Sequence, residues 1–209
     1  MQLGKIFNAS LIYATFRSAT PIIYAALCAA ITQQADILNI GTEGIMLVGA
    51  FMAVAVSYLT GSWILGVLVA MVSGLVMAMI MAVGNIKFKA DICAIGMGIN
   101  MFALAITKFL LNAWLGQSGT FMSPDIKSIP KVHIPFLTSI PVLDTIFNDW
   151  YITEWFVIIL VIVLWFVFYK TKFGAHLRAV GEHPEACESL GIDVYKVRYT
   201  CVILSGFFA

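Results

Sequence analysis

Residues Lys170 to Arg198 read KTKFGAHLRAVGEHPEACESLGIDVYKVR and separate two strongly apolar segments. The stretch holds nine charged residues, in a chain with 12 basic and 11 acidic ones. Its punctuation is helical. Ala175–Val180 is expected to form one short helix closed by Gly181, and Pro184–Leu190 a second closed by Gly191. Proline suits a first helical position because its missing N–H has no partner there. Glycine suits the position after a helix because it takes a left-handed backbone at no steric cost. Glu185 and Glu188 stand near the positive end of the second helix, where the dipole favours carboxylates. Ala186 and Leu190, at i,i+4 spacing, share a face. Two readings fit this pattern: a compact helical knob projecting from a membrane, and an ordinary solvated loop between spans.

The flanking composition decides what the interval projects from. Hydrophobic residues make up 61% of the chain and charged residues 11%, with a mean hydropathy of +0.97. Soluble domains carry roughly 25% charged residues, so the chain reads as an all-α, polytopic membrane protein. A net charge of +1 speaks against a nucleic-acid partner. Cys28, Cys93, Cys187 and Cys201 show neither paired spacing nor a metal-ligand pattern with the histidines, and read as buried or bystander thiols. Met1–Ser10 runs straight into a long span, so no cleavable leader is expected.

Five segments reach the roughly 20 residues that a helix needs to cross a bilayer core: 11–32, 44–59, 62–84, 92–115 and 150–169. A sixth begins near Val197 and reaches Ala209, which predicts that this chain is the N-terminal part of a longer protein. Basic residues beside the spans set the orientation. Lys87, Lys89, Lys170, Lys172, Arg178, Lys196 and Arg198 all fall inside if residues 170–198 are cytoplasmic, seven of the 12 basic residues. The segment 117–149 and the N-terminus then lie outside, with Lys5 and Arg17 against the count. Trp114, Trp150, Tyr151, Trp155 and Tyr169 sit near span ends, as interfacial aromatics do. The external segment carries Pro124, Pro130, Pro135 and Pro141 and reads as a structured connector, as a cap on the pore mouth, or as a surface that meets a binding protein.

Gly66, Ala70, Gly74, Ala78 and Ala82 recur every fourth residue in the third span. That spacing makes a groove into which another helix packs closely. Pro21 interrupts the first span and breaks a backbone hydrogen bond there. Arg17 and Lys108, near span ends, snorkel.

A second polar interval, Gln33–Gly49 (QQADILNIGTEGIMLVG), breaks what would be continuous apolar sequence. Asn39 is expected to cap a helix beginning at Ile40, leaving Thr42 and Glu43 in its first turn. A helix that starts part-way into the membrane points its positive dipole end at a cavity, and transporters build substrate sites that way. An ionisable residue such as Glu43 at membrane depth is expensive, so function is a reasonable default. The plainer alternative is a cytoplasmic turn with solvated charges. Asn100 faces either the pore or a neighbouring helix.

Two motifs carry a family resemblance. Gly174, Leu177, Arg178, Ala179, Gly181, Glu182, Pro184, Ala186, Gly191 and Ile192 resemble the cytoplasmic coupling loop of ABC-transporter permeases. The closest resemblance is to the branch that imports nucleosides, simple sugars and branched-chain amino acids, and LNIGTEGIMLVGAF (residues 38–51) resembles the signature of its nucleoside and simple-sugar permeases. The resemblance implies that the loop's short helix docks in a groove of an ATPase subunit, with Arg178, Gly181, Glu182, Pro184, Glu185, Ala186, Leu190 and Gly191 as the coupling residues of this stretch, and the contact centred on Ala186 and Leu190 with Glu182, Glu185 and Glu188 at its rim. It also implies that the motif's Asn39, Thr42 and Glu43 line or brace a substrate path, for which Asn100 of the fourth span is a further candidate.

By the same resemblance the chain would be a permease subunit in a bacterial plasma membrane, moving a nucleoside or, next, a simple sugar. Its partners would be two ATPase subunits, a second identical or homologous permease, an extracytoplasmic binding lipoprotein and membrane lipid. No Walker loop, catalytic triad or metal cluster is visible, so this chain is expected to carry no cofactor, with ATP and Mg on the ATPase. An ion-driven secondary transporter would instead show paired broken helices and several intramembrane carboxylates. A non-transporting membrane scaffold would tolerate changes at Asn39 and Glu43.

Overall fold

The computed structural model describes residues 9–116, 119, 121, 123, 124, 126–133 and 150–209. In chain order these form α1 (Ala9–Gln33), α2 (Thr42–Thr60), α3 (Trp63–Ala82), α4 (Ile92–Leu115), β1 (Lys131–Val132), β2 (Trp150–Tyr151), α5 (Ile152–Lys170), α6 (Lys172–Glu182), α7 (Pro184–Ser189) and α8 (Val194–Phe208). Among the described residues five helices are long and apolar enough to cross a membrane: α1, α2, α3 with its continuation to Lys87, α4 and α5. The expected spans are therefore present, each displaced by at most a few residues at its ends. Helix α1 runs unbroken through Pro21. Residues 117, 118, 120, 122, 125 and 134–149 of the expected external segment lie outside the described residues.

The chain divides into two compact units, residues 1–24 with 128–164, and residues 25–127 with 165–209. In the first, β1 and β2 pair antiparallel, Lys131 opposite Tyr151 and Val132 opposite Trp150. This corrects the expected start of the fifth span at Trp150. The backbone of Trp150 and Tyr151 is committed to the strand pair, and helix begins at Ile152. The Tyr151 N–H donates to Glu154 Oε2 at 2.9 Å, so a first-turn carboxylate reaches back over the helix start. Arg17 donates from Nη2 to the Tyr151 hydroxyl at 3.2 Å, and its guanidinium lies 5.0 Å from the ring centroid. Trp150, 2% exposed, packs between Phe16 and Trp155.

In the second unit α3 packs along both α2 and α8, and α2 packs on α4. The small-residue row on α3 makes this possible. A side chain at Gly66 would come within 2.7 Å of the Ala53 carbonyl oxygen of α2, and one at Gly74 would collide with the Gly206 carbonyl of α8. Close backbone approach replaces the water-driven term that lipid-facing helices lack. Around it lie Ile37, Ile45, Met77, Met81, Ile86, Ile99 and Val202, all nearly fully buried. Helix α3 ends in a wide π turn, Val83–Lys87, so it runs three residues past the expected Gly84. Helix α8 starts at Val194, not Val197. Asp193 caps it by accepting from the Lys196 N–H at 3.0 Å, and that bond holds the Asp193 carboxyl below its usual range.

Candidate functional site

The path from α1 to α2 is a tight turn followed by a pinned extended stretch. The N–H groups of Ala35 and Ile37 both donate to Thr32 O, at 3.0 and 3.1 Å, which satisfies the helix end. Ala35 and Ile37 are buried, and between them Asp36 takes a left-handed backbone at φ 58°.

Beyond the turn, Asn39 corrects the sequence expectation. It does not cap a helix at Ile40. Helix α2 begins at Thr42, after Gly41, with no side-chain cap. The Asn39 Nδ2 donates instead to Ser205 Oγ on α8, at 2.8 Å. The capping work is done from α4, where Asn100 Oδ1 accepts the Gly44 N–H at 2.8 Å. The same amide donates through Nδ2 to the Ile40 carbonyl at 3.0 Å. Asn100 therefore faces the neighbouring segment. Gly96, one turn earlier on α4, lets the two backbones meet, since a Cβ there would lie 2.7 Å from Ile40 Cβ and 3.1 Å from Gly41 N.

Thr42 and Glu43 do occupy the first turn. Thr42 Oγ1 donates to the Asn39 carbonyl at 2.8 Å, while Glu43 is exposed. The structure thus brings Asn39, Thr42, Glu43 and Asn100 to one place, the start of α2. One polar atom is left over: Asn39 Oδ1 is buried without a hydrogen-bond partner among the described residues. Ser205, 0% exposed, and Gly96 belong to this cluster and escape sequence reasoning. The hydroxyl of Ser205 interrupts the apolar run VILSGFF, the one signal that could mark it.

Residues 170–198 fold as a helical knob. The first helix is longer than expected, Lys172–Glu182 rather than Ala175–Val180, and it passes through Gly181 instead of stopping there. Two causes are visible. Thr171 caps the start by accepting the Gly174 N–H, and the chain turns only at His183, the residue that Pro184 bars from continuing the helix. Arg178 Nη1 donates to the Phe168 carbonyl and its guanidinium sits 5.2 Å from the Tyr169 ring centroid. A side chain at Gly174 would collide with the carbonyls of Val167 and Phe168. Arg178 therefore straps α6 onto the end of α5.

Helix α7 starts at Pro184 as expected and ends at Ser189. Gly191, at φ 80°, lets the Ile192 N–H return to Cys187 O at 2.9 Å and closes the helix. Buried Val180, Cys187 and Val194 join α6, α7 and the start of α8. Outward from that cluster, Glu182, Glu185, Ala186 and Glu188 are exposed, and Leu190 is 80% exposed. Ala186 and Leu190 are thus exposed together with three carboxylates of the same stretch. Glu185 and Glu188 also border a cavity of about 540 Å3 between α7, the Asp36–Ile37 turn and the π turn. Gly181, one of the expected coupling residues, faces inward, away from the exposed residues of α7. Its Cα faces the 34–36 turn so closely that a Cβ would collide with the Gln34 carbonyl oxygen.

Among the described residues no group of three His, Cys, Asp or Glu stands close enough to hold a metal ion. The described cysteines are all free, with Cys28, Cys187 and Cys201 buried and Cys93 exposed.

Residues 11–209 match the family described as branched-chain amino acid transport system / permease component. A guanosine ABC transporter permease protein of Bacillus subtilis is 39% identical to this chain, over 99% of it and 65% of its own length. A nucleoside ABC transporter permease protein of Lactococcus lactis is 33% identical, over 90% of this chain and 61% of its own length. A putative glucose ABC transporter permease protein of Haloferax volcanii is 32% identical, over 97% and 61%. The chain thus spans less than two thirds of the length of these relatives. No solved structure matches.

Proposed function

This chain belongs to the branched-chain amino acid transport system / permease component family, and on that basis we propose that it forms the membrane-spanning part of an ABC importer for nucleosides. Simple sugars are the next substrate class. The reading is carried by the similarity to permeases named for guanosine and nucleosides across nearly the whole chain. It is supported locally by the two motif regions, one folded as a projecting helical knob and the other as a pinned, polar helix start.

In this reading residues 170–198 face the cytoplasm and the N-terminus and residues 117–149 face outside, in a bacterial plasma membrane. ATPase subunits bind ATP and Mg and dock on α7, with Ala186 and Leu190 at the centre of the contact. Buried apolar contact and a solvated charged edge divide the roles, because a charge inside an interface is costly while one at its rim is nearly neutral. A second permease, identical or homologous, completes the path, and an extracytoplasmic binding lipoprotein delivers the substrate. Asn39, Thr42 and Glu43 stand at the helix start where the path would be lined, with Asn100 bracing them.

The test is direct. The full-length protein is purified with its candidate ATPase and reconstituted in liposomes, and ATP-dependent uptake of radiolabelled guanosine, glucose and leucine is compared. Guanosine uptake that requires ATP supports the reading. Uptake driven by an ion gradient without an ATPase, or no uptake of any of the three, rejects it.

A further inference from the structure

We propose that Gly181 is a positioning residue, the point at which displacement of the α6–α7 knob is passed to the turn that sets the start of α2. The inference rests on the importer reading above. Its motive is a packing contrast within the second unit. On one side, the knob meets open space, since the cavity of about 540 Å3 separates α7 from the Asp36–Ile37 turn and the π turn. On the other, α6 meets backbone with no side chain between: a Cβ at 181 would collide with the Gln34 carbonyl oxygen and lie 3.1 Å from Gln34 C and 3.4 Å from Asp36 N.

Force passes through the tight contact and is absorbed by the open one, because close-packed atoms transmit strain and voids do not. The knob moves as one body, joined by Val180, Cys187 and Val194. The turn that receives the push is stiff. Ala35 and Ile37 are anchored in the core and both hydrogen-bond to Thr32 O. Asp36 sits in a left-handed conformation, which a non-glycine residue keeps only where its surroundings hold it. Three residues beyond Asp36 comes Asn39, whose only side-chain hydrogen bond among the described residues crosses to Ser205 of α8. A shift of the turn therefore strains that bond.

Glycine at 181 is needed for the distance between backbones, since the residue is helical and glycine is otherwise a poor choice in a helix interior. Alanine, a better helix former, would push the turn away by about the radius of a methyl group.

The experiment uses the full-length permease with its ATPase in liposomes, comparing wild type, Gly181→Ala and Gly98→Ala. Gly98 is an α4 glycine with nothing near its would-be Cβ and serves as the control. Four quantities are read: ATPase retention on the purified permease, basal hydrolysis, substrate-stimulated hydrolysis and uptake. In Gly181→Ala, retention and basal hydrolysis are expected to stay at wild-type levels. Stimulated hydrolysis and uptake should fall about tenfold, the size of a typical coupling between sites. Gly98→Ala should match wild type throughout. Wild-type uptake in Gly181→Ala, or a parallel fall of all four quantities, overturns the inference alone. A wild-type permease that retains no ATPase overturns the importer reading beneath it.

Discussion

Asn100 holds the first turn of α2 from outside: its Oδ1 accepts the Gly44 N–H at 2.8 Å across a separation of 56 positions. Helix starts are usually satisfied by a local Ser, Thr, Asp or Asn. Here the local candidate, Asn39, is engaged elsewhere, and the cap is supplied by another helix. Asn100→Leu removes both its hydrogen bonds and leaves the Gly44 amide and Ile40 carbonyl without partners, which should cost about 1–3 kcal/mol. Asn100→Asp keeps the acceptor for Gly44 and should lose less. Thermal unfolding of the three proteins in one detergent checks the order.

Gly74 and Gly206 meet backbone to backbone, so neither tolerates added volume. Gly74→Val should separate α3 from α8 and destabilise by about 1–3 kcal/mol or more, the usual cost of overpacking a tight site. Gly61→Ala, at a turn with open space around it, tests backbone strain without wedging helices apart. Limited proteolysis should expose new cleavage sites near α8 in Gly74→Val but not in Gly61→Ala.

How far these contacts are legible in sequence depends on their range. The five spans follow from uninterrupted apolar length, and the row from Gly66 to Ala82 announces a close helix contact without naming its partner. Gly191 is readable because a left-handed helix end is a local property. Gly181 looks identical in sequence and suggests a second helix end wrongly, because its cause, the Gln34 carbonyl, lies far away in the chain. Asn39 misleads for the same reason. A capping residue before a helix is a sound local expectation, and a distant hydroxyl at Ser205 outbids it. At Trp150 and Tyr151 apolar composition suits strand and helix equally, and only the pairing with Lys131 and Val132 decides between them.

Glu43 is exposed in the first turn of α2, and its side chain makes no hydrogen bond or ion pair among the described residues. Glu43→Gln should therefore leave membrane insertion and assembly unchanged while lowering uptake. Asn39→Ala should lower uptake and also loosen α8, since it removes the bond to Ser205. Normal transport by the double variant would take this cluster out of the path.

On the importer reading, Ala186 stands at the centre of the contact made by α7 and Glu185 at its rim; both are exposed. Ala186→Arg should release the ATPase and abolish uptake, because burying an unpaired charge at the centre of an interface costs about several kcal/mol. Glu185→Gln should cost about 1 kcal/mol or less. Pull-down of the ATPase with each purified permease distinguishes the two. Equal retention would make the knob a connector only.

The bond between Asn39 and Ser205 spans 166 positions, and that separation sets an order of events in the making of the protein. At synthesis rates of roughly 5–20 residues per second, Asn39 emerges about 8–33 s before the hydroxyl it will hold. For that interval the amide has no partner on α8, and the Gly74 side of α3 has no helix to lie against. Water and lipid must keep those places until α8 arrives to displace them. The nascent protein therefore waits with its Asn39 segment unlatched, and translation of the apolar run that carries Ser205 is what shuts it.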